Sequence, residues 1–222
     1  MIIGIPKYKD DESFELMMTS LKKSTNAYDE IIIIESFDNK KDVTPIKIGK
    51  MTIIKTPKEG PLKAYERLFK IAKERKEDLF LTQTDVLFPK CYNRDWLAQM
   101  KQISEIEECG IVTCLGGGGQ SGPDFISGYN WVGAWCTYIP YRTIEKIGGY
   151  DMNIPLGYGV DIDYTYAVEQ ARLKVYLSNY WVDHHPEYDN AHEHERVDNF
   201  NKLKEKAFVY MRKKWKVGEF AK

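Results

Sequence analysis

Asp78-Leu79-Phe80-Leu81-Thr82-Gln83-Thr84-Asp85-Val86-Leu87-Phe88-Pro89 is the stretch on which the reading of this chain turns. It begins as a bulky apolar run of strand length, the pattern of a strand buried in a sheet. Thr82 to Asp85 interrupt it, and apolar residues resume at once. A carboxylate between apolar flanks has little water to solvate it, so Asp85 calls for a base or a metal ion beside it. Ligands of open α/β sheets bind at the carboxyl ends of strands, where Asp85 falls. A turn-forming Asp at a strand end accounts for the residue equally well when it is taken alone. The rest of the chain tips the balance.

Working backwards, Ile2-Ile3-Gly4-Ile5 reads as a first strand halted by Pro6. Phe14, Met17, Met18 and Leu21 follow at helical spacing, with caps on offer from Asp10 to Ser13. The run Ile31 to Ile34 is apolar all round, as a central parallel strand buried on both faces must be, and it ends in Glu35. Met51 to Lys55 gives a third strand, and Gly60-Pro61 opens a helix whose apolar face is Leu62, Tyr65, Leu68, Phe69 and Ala72. Strand and helix alternate, which predicts βαβ units and a parallel sheet.

Working forwards, Asn93 or Asp95 caps a helix containing Trp96, Leu97, Met100, Ile103 and Ile106, and Ile111 to Leu115 is another strand. It enters Gly116-Gly117-Gly118-Gly119, a glycine run without the G-K-[ST] ending of a phosphate loop, which reads as a mobile loop over a site. Trp131 to Ile139 predicts a strand, and Tyr141 to Ile147 a short helix stopped by Gly148-Gly149. Tyr164, Ala167, Val168 and Ala171 mark a helix whose first turn holds Asp161 and Asp163, where the helix dipole favours carboxylates. Two short strands, Val175–Leu177 and Trp181–Val182, lead to His184-His185, and residues 186–198 read as a polar loop. The stripe Phe200, Leu203, Ala207, Phe208, Met211 and Trp215 predicts a final helix packed on the core.

With 222 residues, no linker and no repeat, the chain predicts one domain. Its parts span 1–115, 116–198 and a C-terminal helix over 199–222. A net charge of -1 gives no electrostatic case for nucleic acid. Cys91, Cys109, Cys114 and Cys136 form no C-x-x-C pair, as expected of reduced thiols in a cytoplasmic protein. Neither a signal peptide nor a bilayer-length apolar span is evident, so at most a peripheral association with a membrane surface is expected.

Several features now recur in a known order: a first strand ending in Pro6, a second ending in Glu35, a Gly60-x-x-x-Ala64 helix, and a strand ending in Asp85. Ile147-Gly148-Gly149-Tyr150-Asp151 and Gly157-Tyr158-Gly159-Val160-Asp161-Ile162-Asp163 complete the set. The order resembles the GT-A fold glycosyltransferases, family 2 type, over residues 1–185. The resemblance implies a Rossmann-like α/β domain with a mostly parallel central sheet flanked by helices. It also implies a nucleotide-sugar donor, a divalent cation (Mn²⁺ or Mg²⁺) and a carbohydrate, lipid-linked or protein acceptor. The same resemblance implies a nucleotide-sugar-binding half over 1–115 and an acceptor and metal half over 116–198. Donor contacts then fall to Pro6, Tyr8, Glu35, Lys58, Lys63, Thr84 and Asp85, and cation contacts to Asp85 with His184 or His185. Gln83-Thr84-Asp85 stands where the family has a full D-x-D motif, so only the final acid is kept.

Glycosyl transfer needs the departing nucleoside diphosphate stabilised, which a cation does as a Lewis acid. Inversion also needs a base on the acceptor side, for which Asp161 is the candidate. Trp135, Tyr158 and Asp163 are the candidate acceptor contacts, with core packing or helix capping as the plain alternatives. A non-catalytic nucleotide-sugar binding module on the same fold is the alternative function. A sugar-phosphate nucleotidyltransferase ranks low because Pro6-Lys7-Tyr8-Lys9-Asp10 contains no glycine, and a zinc enzyme lower still because the histidines make no H-E-x-x-H spacing.

Overall fold

The computed structural model describes residues 1–9, 11–37, 44–58, 60–90, 95–117, 133, 135–184 and 199–216. The first half alternates as the sequence predicts: β1 (Ile2–Tyr8), α1 (Asp11–Ser24), β2 (Glu30–Phe37), β3 (Ile46–Ile48), β4 (Met51–Pro57), α2 (Pro61–Arg75) and β5 (Leu79–Thr82). Then come β6 (Val86–Leu87), α3 (Trp96–Ser104), β7 (Cys109–Gly117), β8 (Cys136–Ile139), α4 (Tyr141–Ile147), a 3₁₀ turn (Pro155–Gly157), α5 (Val160–Gln170), β9 (Lys174–His184) and α6 (Phe200–Trp215). Local chemistry sets the boundaries. Gly60, at φ 85°, turns the chain into α2 with Pro61 in the first helical position. Asp95 caps α3 by accepting from the Leu97 and Ala98 amides.

The strands form one sheet in the order β3-β4-β2-β1-β5-β8-β7-β9-β6. β1, β2, β4, β5, β7 and β9 run one way, and β3, β8 and β6 run the other. The sheet is mostly parallel, as expected. β9 is one continuous strand where two short ones were predicted, because its pairing with β7 runs through a register shift between Thr113 and Leu115. The short edge strand β3 and the two-residue β6 carry too little apolar pattern to announce themselves in sequence.

The sheet also rolls. β6 pairs with β9 at the far side of the order, yet only Gln83, Thr84 and Asp85 separate it from β5. Four flat strand spacings measure about 19 Å, and four residue steps reach about 14 Å at most. The far edge must therefore curl back over the end of β5. Beneath the curl, Trp96 stacks between Phe88 and Tyr180 at centroid distances of 5.1 and 4.7 Å, in a core shared with α1 and α3. A second core on the other face holds Tyr65, Leu68 and Phe69 of α2 against Tyr150, Val160 and Tyr164, with Ala207 and Met211 of α6. Among the described residues, no helix is long and apolar enough to cross a membrane.

Candidate functional site

The carboxyl ends of the parallel strands share one edge, and most of the residues singled out from sequence reach it. Asp85 lies in the turn after β5, 7 % exposed. The curl sets it against the end of β9, with its Oδ2 3.2 Å from His184 Nε2, although 99 residues separate the two in sequence. Its other oxygen, Oδ1, is buried and has no hydrogen-bond partner among the described residues. His184 lies flat on the Trp135 ring, with centroids 5.0 Å apart and planes 7° from parallel. Such a stack fixes the plane in which the imidazole nitrogen points.

A buried carboxylate oxygen without a donor is costly and calls for a partner, which a cation can be. Carboxylate and imidazole together suit Mn²⁺, and carboxylate oxygen suits Mg²⁺. Among the described residues no group of three His, Cys, Asp or Glu forms a cage. Two protein ligands with phosphate oxygens completing the shell is the usual way such ions are held beside a nucleotide. The residues present fit that arrangement. His185 lies outside the described residues.

At the ends of β1 and β2, Glu35 meets two lysines: Lys7 Nζ is 2.6 Å from its Oε1 and Lys55 Nζ 3.4 Å from its Oε2. Lys7, itself buried, also binds Asp11 at 2.5 Å. Burial opposes both charges, and the short bonds more than offset it. The Lys7 ammonium is held above its ordinary value and the Glu35 carboxyl below its own. Tyr8 follows Pro6 at the end of β1, with Lys58 Nζ 2.6 Å from its hydroxyl and 4.1 Å from its ring centre. Lys63 is exposed and pairs with Glu66 at 2.8 Å. It faces a surface groove of about 520 Å³ shared with Ile34, Ile54 and Lys70, on the outer side of α2. Thr84 is half-buried beside Asp85.

On the other side of the edge, the chain enters α5 through consecutive left-handed residues, Leu156 at φ 57° and Gly157 at φ 70°, with Gly159 at φ 80° as N-cap. At Gly159 a side chain would be strained by that φ and would also crowd Met211 of α6, 3.0 Å away. The turn delivers Asp161 into the first turn of α5, where its Oδ1 accepts from the Ile162 amide at 2.9 Å.

Each of the three expected acceptor contacts also has partners within the protein. Trp135 is 6 % exposed and spends its ring on His184. Tyr158 meets Phe200 and Phe208 edge-on, with Lys204 Nζ 4.7 Å from its ring. Asp163 is 2 % exposed and turns to α6, accepting from Lys214 at 2.9 and 2.7 Å and from the Trp215 indole at 2.7 Å. Burial outweighs the ammonium, and its carboxyl stays above the ordinary value.

One residue at this edge was read from sequence as plain core. Tyr65 of α2 is 5 % exposed, and Gln83 Nε2 donates to its hydroxyl at 2.8 Å. Burial pushes its phenol up strongly; the Gln83 bond works against that, while the nearby charges of Asp85 and Asp161 add to it. The available signal was a tyrosine, rather than a phenylalanine, on the helix face that points at the Asp85 turn.

The sequence matches no family model, and no curated protein matches it. The structure does match solved ones. A mannosyltransferase of Pyrobaculum calidifontis in complex with GDP-Man and Mn²⁺ superposes at TM-score 0.65 with 13 % identity, over 99 % of this chain and 65 % of that one. GalNAc-T7 with UDP, GalNAc and Mn²⁺ superposes at 0.62 with 16 % identity, over 82 % and 43 %. Staphylococcus aureus TarS, residues 1–349, superposes at 0.58 with 13 % identity, over 83 % and 60 %. The chain thus spans less than two thirds of the length of each of these three. The likeness is one of fold: the chain has the GT-A glycosyltransferase architecture.

Proposed function

We propose that this chain transfers a sugar from a nucleotide-sugar donor to an acceptor hydroxyl, with a divalent cation held by Asp85 and His184. The observation that carries the reading is the convergence of these two residues at the carboxyl edge of the sheet, with one carboxylate oxygen buried and without a partner among the described residues. A bound Mn²⁺ or Mg²⁺ supplies Lewis-acid neutralisation of charge on the departing diphosphate. GDP-Man and UDP with Mn²⁺ accompany two of the structures of the same fold, which supports a nucleotide-linked sugar as donor.

The remaining roles follow from position. Glu35, with its carboxylate ionised and oriented by Lys7 and Lys55, accepts hydroxyl or N–H groups of the nucleoside. Pro6, Tyr8 and Thr84 line the donor beside it, and Lys58 meets diphosphate charge. Lys63 faces the groove between α2 and strands β2 and β4 and would meet donor charge from there. Asp161 takes the proton from the acceptor hydroxyl as that oxygen attacks the anomeric carbon from the face opposite the leaving group, which inverts the configuration. Trp135, Tyr158 and Asp163 support the site instead of touching the acceptor. Trp135 aims His184, and the other two tie the α5 entrance to α6.

The deciding experiment incubates the full chain with GDP-mannose, and separately with UDP-hexoses, with and without Mn²⁺, and follows nucleoside diphosphate release. Metal-dependent release that is lost in Asp85→Asn is the expected result. Tight binding of GDP or UDP with no release from any donor would make the chain a binding module.

A further inference from the structure

We propose that Tyr65 is a positioning residue that acts through Gln83 to aim Asp85 at the cation. The inference rests on the reading of Asp85 as a cation ligand. Asp85 sits in a turn of three residues, Gln83 to Asp85, between two strands that pair with different partners. Neither ladder holds the turn itself. A contact that reaches it from the helix layer is the 2.8 Å bond from the Gln83 amide to the Tyr65 hydroxyl. Tyr65 cannot drift, since it is 5 % exposed and meets the Tyr150 ring edge-on at 5.2 Å.

The bond also explains the neutral residue at position 83. A second acid there would bring another ligand charge. An amide instead donates to the phenol and turns the side chain into a strut between α2 and the turn. Accepting from Gln83 leaves the phenol proton free to donate in its turn. Groups that orient a metal ligand typically change metal affinity 10- to 100-fold when removed.

The test titrates Mn²⁺ into the full chain with GDP and, separately, with UDP, reading free Mn²⁺ by electron paramagnetic resonance. The chains are wild type, Asp85→Asn, Tyr65→Phe, Gln83→Ala and the Tyr65→Phe/Gln83→Ala double variant. Thermal unfolding reports the fold of each, and Phe keeps the ring against Tyr150. Tyr65→Phe and Gln83→Ala are each expected to weaken Mn²⁺ binding about tenfold, and the double variant no more than either alone, since one bond is removed in all three. Asp85→Asn should lose most of the binding. Wild-type affinity in Tyr65→Phe beside a loss in Asp85→Asn overturns the positioning role while leaving the cation site standing. Losses that multiply in the double variant overturn the route through Gln83. Wild-type affinity in Asp85→Asn removes the cation reading of Asp85, and the role of Tyr65 falls with it.

Discussion

Asp85 and Asp161 are both carboxylates at chain turns, but their surroundings divide the work between them. Asp85 is buried, with a histidine on one oxygen and, among the described residues, no partner on the other, which is the surrounding the proposed cation role calls for. Asp161 is half-buried in the first turn of α5, where the helix dipole favours a carboxylate, as the proposed role of general base requires. Asp161→Asn is therefore expected to leave Mn²⁺-dependent GDP or UDP affinity unchanged while slowing transfer about a hundredfold or more, the scale of a lost general base. Steady-state kinetics beside calorimetry checks it; a loss of nucleotide affinity equal to the loss of rate would move Asp161 to the donor side. At this scale the sequence was informative where a charge interrupts an apolar run, as at Asp85. It was silent where polarity hides in an apolar pattern. Tyr65 keeps helical spacing perfectly, and only the fold reveals that its hydroxyl meets Gln83.

The elements show the same division. Where one face is buried continuously, as in β1, β2 and α2, the apolar period marks the element directly. β9 reads in sequence as two strands, Val175–Leu177 and Trp181–Val182, whereas the ladder with β7 carries one strand through with Ser178 buried. What α6 does was equally out of reach, since its role depends on partners more than 50 residues away. Lys214 joins Asp163 of α5 to Asp151, and Tyr210 also donates to Asp151 at 2.9 Å. Burial opposes the Asp151 charge, but Lys214, the Asn153 amide and Tyr210 bring its carboxyl from 3.8 down to about 2. The unfolded chain thus binds this proton first on acidification. The contribution is full above the unfolded value and is lost as pH falls through the folded one, about 2 kcal/mol for a shift of this size. Asp163, raised by burial, contributes with the opposite sign. Comparing wild type with Asp151→Asn isolates the first group: their difference in unfolding free energy should shrink between about pH 4 and about pH 2. A difference that stays flat over that range would mean the ion pair does not hold α6.

For the whole molecule, the roll of the sheet decides what can happen at its edge. Asp85 follows the central strand β5, His184 ends β9 three places along the strand order, and Asp161 enters from a third element, so the candidate site is assembled only in the folded chain. Any ligand that bridges them must bind the native state alone and stabilise it. Held at about a hundred times its dissociation constant, such a ligand contributes about 2.7 kcal/mol, which raises the melting temperature of a chain of this length by roughly 5 to 10 °C. GDP or UDP with Mn²⁺ is therefore expected to raise the unfolding midpoint by that amount. Mn²⁺ alone should raise it far less, because two protein ligands leave most of the coordination shell to phosphate. The ordering matters more than the size. If nucleotide alone gave the full shift and Mn²⁺ added nothing, binding would be confined to the Glu35 and Tyr8 side of the edge. If the pair acts together and His184→Ala removes only the metal-dependent increment, the cation joins the two sides of the rolled sheet. The same comparison by amide hydrogen exchange reaches residues 186–198, which lie outside the described residues and read in sequence as a polar loop. Protection gained there only with nucleotide and Mn²⁺ together supports a lid that excludes water from the activated sugar. Exchange left fast there, beside protection around Asp85, leaves the segment a connector to α6.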